Sequence, residues 1–103
     1  MDFPAHYKHF MENYPEIHSK YDELGRAVHN SGPLDKKTRE LIKLAISVGA
    51  RYEGAAHSAT RKALEAGATK DELRQVVFLS LTTCGFPTMM AALSWLEDII
   101  GKD

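Results

Sequence analysis

In the stretch RYEGAAHSATRKALEAG, Glu53 and His57 stand four residues apart, and on a helix that spacing sets a carboxylate beside an imidazole. Such a pair can orient the imidazole and support its charged form for proton transfer, or it can be an ordinary surface or interface pair. A second carboxylate, Glu40, opens the apolar run ELIKLAISV. Partial burial there would raise its proton affinity toward values useful for acid–base chemistry, whereas Lys43, one turn on, could neutralise it in an ion pair. A solvated polar line accounts for Glu40 equally simply.

Other reactive side chains carry less. His6 and His9, with Glu12 continuing the spacing, could turn two imidazoles toward one metal, but a stable site needs three or four ligands, so no metal is expected. Cys84 is the only thiol; at the end of an apolar helix it reads as a small hydrophobe. The Tyr52 phenol is about 0.1% ionised at neutral pH unless strongly perturbed.

These residues need helices to position them. No segment alternates apolar and polar residues over a strand's length, and helix start and stop signals recur along the chain. The pattern predicts six helices, over residues 4–13, 15–30, 36–49, 52–66, 70–84 and 87–100. Pro15 separates the first two, SGPLD forms a turn, and Asp35 caps the third helix. Gly67 suits the left-handed position that ends the fourth. In TKDE, Thr69 and Glu72 form a capping box for the fifth. In the third helix the apolar residues cover most of the circumference and leave Glu40, Lys43 and Ser47 as a polar line.

The chain has 103 residues, 44% hydrophobic and 26% charged, with a net charge of −1 and scattered Lys and Arg. One small core follows, in a single domain with N-terminal helices over residues 1–34 and the main body over 35–101. The charge balance argues against a nucleic-acid partner, and no apolar run approaches the ~20 residues that span a bilayer. A single cysteine and the absence of a signal-peptide layout point to the cytoplasm. Three helices apolar on several sides exceed what one small monomer can hide, which predicts association of copies.

TREL followed by an apolar helix, a small-residue stretch ending in RKALEAGAT, and a helix after KDEL occur in that order. Over residues 35–87 the sequence thereby resembles the carboxymuconolactone decarboxylase family, which includes the alkyl hydroperoxide reductase D-like proteins. The resemblance implies an all-α fold assembled into homotrimers, homohexamers or related oligomers. Its peroxidase branch carries E-x11-C-x2-C-x3-H, in which two cysteines one turn apart cycle between dithiol and disulfide. On this chain the glutamate falls on Glu40, while Tyr52, Ala55 and Ala59 stand where the cysteines and the histidine would be. His57 lies two residues before the histidine position, about 200° around the helix.

The decarboxylase branch, which works without metal or organic cofactor, needs a proton donor and cations that hold a carboxylate. The resemblance therefore implies a cofactor-free enzyme acting on a small anionic or carbonyl substrate. Glu40 and His57 would handle protons in a pocket between the third and fourth helices, with Tyr52, Arg51 and Arg61, or Arg39, against the substrate. A non-catalytic oligomer that binds a ligand or partner is the second reading. A hydroperoxide reductase is the third.

Overall fold

The computed structural model describes residues 4–102. Among them are seven helical segments and no strand: α1 (Ala5–Asn13), α2 (Pro15–His29), α3 (Lys36–Gly49), α4 (Glu53–Glu65), α5 (Lys70–Leu79), α6 (Leu81–Cys84) and α7 (Phe86–Ile100). The all-α expectation holds. The chain divides into two compact units between Pro33 and Leu34.

In the first unit, α1 and α2 meet through aromatic rings. Tyr7 and Phe10 lie edge-on to the His18 ring, and the Tyr7 hydroxyl is 3.2 Å from His18 Nε2. Neither helix contains a buried residue. Ile17, Tyr21, Leu24 and Val28 form an exposed apolar stripe along α2, spaced as one helical face requires.

The second unit holds the core. Asp35 caps α3 by accepting the Thr38 backbone N–H at 3.2 Å. At α5, Thr69 accepts the Glu72 N–H while the Glu72 carboxylate accepts that of Thr69, at 3.0 and 2.9 Å, which completes the reciprocal box. Gly67, at φ 96°, follows α4 in the left-handed region. These local signals fix the ends of the helices. Burial fixes their faces: Leu44 and Val48 of α3, Ala56, Ala59 and Ala63 of α4, Leu73 and Val77 of α5, and Met89, Ala92, Leu96 and Ile100 of α7 join in one cluster. The alanines give α4 a low-profile face, so that α3 and α7 pack closely against it.

Two expectations change. The predicted fifth helix is interrupted at Ser80, whose backbone N–H and hydroxyl both reach the Val77 carbonyl, at 3.0 and 2.6 Å. That tighter i−3 bonding ends α5 and starts the short α6. More consequentially, α3 is turned so that its polar line faces inward. Glu40 and Ser47 are 3% and 8% exposed, whereas Ile42 and Ile46 stand outside. Ser47 tolerates this because its hydroxyl donates to the Lys43 carbonyl at 2.8 Å.

The two capping carboxylates also set an acid limit. The Thr38 hydroxyl and N–H hold Asp35 below the ordinary carboxylate range. The Thr69 N–H, and then the Lys37 ammonium 3.0 Å away, do the same for Glu72. Because both folded values are lowered, the unfolded chain binds more protons in acid. The stabilisation is complete above the unfolded values, roughly pH 4, and is lost as pH falls through the folded ones. The urea midpoint should therefore be level from pH 7 to pH 5 and decline below about pH 4. An equally steep decline in the Asp35→Asn, Glu72→Gln double variant would show that other groups dominate.

Candidate functional site

Glu40 is brought into the interior of the second unit by the rotation of α3. Its neighbours on the buried face are Leu44, Ser47 and Val48, and its Oε2 atom is buried with no hydrogen-bond partner. A buried acceptor left unpaired costs about 1–3 kcal/mol, so the position is one that packing alone would fill with an apolar side chain. The neighbouring Arg39 donates from Nη1 to the Leu34 carbonyl at 2.8 Å, while its buried Nε has no acceptor.

His57 is held differently from the expected pairing. The carboxylate hydrogen-bonded to it is that of Asp98 on α7, with Nε2 and Oδ2 3.0 Å apart; Glu53 stands near both, the three ligand atoms lying within 4.8 Å of one another. The ring is mostly buried, its side chain 21% exposed, against 56% for Asp98. Sequence spacing could find Glu53 but not Asp98, which is 41 residues further on. The histidines of α1 play no comparable part: His6 and His9 stack on each other, and Asn13 rather than a carboxylate reaches His9.

The remaining predicted contacts lie at the start of α4 and along it. Arg51 has φ 59°, a left-handed conformation unusual for a residue with a side chain. Its Nη1 donates to the buried Thr88 hydroxyl at 2.8 Å. Tyr52, the residue before α4, is 66% exposed. Arg61, one turn after His57, is partly buried. Ala55 is exposed and Ala59 is buried.

A cavity of about 340 Å³ lies along the adjoining face of α3 (Thr38, Leu41, Ala45, Val48), against α5 (Val76, Leu79) and Cys84 of α6. Glu40, Arg51, Tyr52, His57 and Arg61 do not line it. Cys84 is exposed, which corrects the expectation of a thiol packed as a small hydrophobe. It borders that cavity at a position outside the cysteine pattern described above.

A family model described as the carboxymuconolactone decarboxylase family matches residues 15–98. The chain belongs to that family. The match begins at the first residue of α2, twenty residues before the stretch that carries the sequence resemblance.

Two uncharacterised proteins of Methanocaldococcus jannaschii are similar to this family member. One is 28% identical over 90 residues, covering 87% of this chain and 84% of the relative; the other is 32% identical over 89 residues, covering 85% and 86%. An uncharacterised 15.0 kDa protein from the nqo9–nqo10 intergenic region of Paracoccus denitrificans is 36% identical over 82 residues, 78% of this chain and 60% of its own length. Among solved structures, the apo form of a carboxymuconolactone decarboxylase family protein from Legionella pneumophila matches with a TM-score of 0.75 and 28% identity, covering 95% of this chain and 89% of that one.

Proposed function

We propose that this carboxymuconolactone decarboxylase family member is a cofactor-free enzyme of the decarboxylase or lyase type, moving a proton on a small anionic or carbonyl substrate with Glu40. The observation that carries the reading is the nearly complete burial of Glu40 with one carboxylate oxygen unpartnered. Loss of CO₂, or of a C–H proton, leaves an electron pair on carbon, and a carboxyl group in a dry setting can deliver or accept the proton at that atom. His57, supported by Asp98, is the second proton carrier in this reading. Arg51, Arg61 and Arg39 supply guanidinium groups for a substrate carboxylate, and the exposed Tyr52 is a further substrate contact in this reading.

The test uses the purified protein in D₂O with a panel of carboxylated lactones, including a carboxymuconolactone, and small 2-oxo acids. Proton NMR reads C–H exchange and decarboxylation. The wild type should act on at least one compound, with Glu40→Gln slower by at least about 10²-fold. Equal rates in the two proteins would remove Glu40 from the chemistry. No reaction across the panel would favour the non-catalytic ligand-binding oligomer.

Association into a homotrimer or homohexamer belongs to the same proposal. The exposed Ile46, Leu79 and Phe86 of the second unit and the stripe on α2 are apolar surfaces that copies of the chain would cover. Light scattering coupled to size exclusion should give three or six copies, and a monomer at micromolar concentration would overturn this part.

A further inference from the structure

The cluster of Glu53, His57 and Asp98 has a composition that a pair does not. It contains one imidazole nitrogen and two carboxylates, drawn from α4 and α7. We propose that these three side chains bind a divalent transition-metal ion, of which zinc is the representative, and that the bound ion clips α4 to α7.

Three features of the cluster support this. First, the donor set is chemically apt: imidazole and carboxylate oxygens are both ordinary zinc ligands, at about 2.0–2.2 Å. Two ligands on such a tetrahedral ion lie about 3.3 Å apart, and His57 Nε2 and Asp98 Oδ2, at 3.0 Å, need to separate by only about 0.3 Å. Second, the third ligand can reach: Glu53 is exposed, on the same face of α4 one turn before His57, and its oxygen needs only a side-chain rotation from within 4.8 Å. Third, the supports are rigid. Helices α4 and α7 pack extensively through Ala56, Ala59, Ala63, Ala92 and Leu96, so two of the three ligands are already held in place. The two carboxylates balance the charge of a divalent ion, and three protein ligands leave a coordination position for water. Glu53 stands beside His57 through its i, i+4 spacing on α4, and Asp98 is brought to them by the packing of α7 on α4.

The inference is independent of the role of Glu40. At His57 it offers an alternative to proton transfer, since an Nε2 atom bound to metal no longer carries a proton. The experiment uses the full chain, stripped with chelator and dialysed, with zinc or cobalt(II) as the only added ligand. Zinc should raise the thermal midpoint by several degrees, and stoichiometric cobalt(II) should give a visible d–d band. His57→Ala should abolish both effects, while Glu53→Gln and Asp98→Asn weaken binding at least about tenfold. The His6→Ala, His9→Ala double variant should bind as the wild type does. The exposed positions of Glu53 and Asp98 keep the test open should the His57 variant fold poorly. No shift in the wild type, or binding that survives in Glu53→Gln and Asp98→Asn at full strength, overturns the proposal.

Discussion

Glu40→Met is expected to make the protein more stable by about 1–3 kcal/mol while lowering catalysed proton transfer at least about 10²-fold. The carboxyl group is 3% exposed and leaves Oε2 unpaired. The folded state therefore carries a desolvation cost that the unfolded chain avoids. Methionine has a similar length, adapts its shape, and brings no polar atom to the buried face of α3 one turn before Leu44. A gain of this size moves the thermal midpoint by roughly 4–8 °C per kcal/mol in a domain of about 60–100 residues. Urea unfolding monitored by circular dichroism gives the stability, and the D₂O assay gives the turnover. Opposite movement of the two would mark Glu40 as a residue kept at the expense of stability. A variant less stable than the wild type would mean that the carboxyl group has a structural partner, and burial of Oε2 would no longer mark Glu40 as functional.

Rebuilding the peroxidase pattern should create activity where the wild type has little. The triple variant Tyr52→Cys, Ala55→Cys, Ala59→His is expected to reduce tert-butyl hydroperoxide to the alcohol and water with dithiothreitol as reductant. Each turnover would oxidise the cysteine pair to a disulfide, which dithiothreitol then reopens. Tyr52 is the exposed residue that caps the start of α4 and Ala55 is exposed in its first turn, and a cap residue and the residue three further on are near enough to be bridged. Ala59 is the demanding position. It belongs to the core cluster, so an imidazole there forces repacking worth about 1–3 kcal/mol. The double variant without Ala59→His should form the disulfide but turn over more slowly, lacking the proton relay. A folded triple variant with no hydroperoxide consumption would sink the correspondence between these positions and the family pattern.

Local chemistry made much of the fold readable in advance. Asp35, Gly67 and the Thr69–Glu72 box act within a few residues of themselves, so the start of α3, the end of α4 and the start of α5 could be inferred from neighbouring side chains, whereas the break at Ser80 could not. The orientation of α3 could not. Its apolar residues cover all but a narrow polar line, which by itself would face water, and the outcome is decided by the surfaces of α4, α5 and α7. Glu40 was legible as a residue of interest, but its unpartnered Oε2 was not, since this depends on every group that packs around it. His57 shows the same division. Its spacing from Glu53 is local, whereas Asp98 arrives only through the packing of α7 on α4.

Arg51 meets two demands that favour different residues. At φ 59° the backbone would be most relaxed with glycine, whereas the bond to Thr88, 37 residues along the chain, requires a long side chain with a directed donor. Glycine would ease the bend between α3 and α4 but separate it from α7; lysine would keep the charge but lose the planar fork. The arginine thus favours a distant attachment over local comfort. Substitution at this position is accordingly constrained from both sides, and no single exchange satisfies the bend and the attachment together.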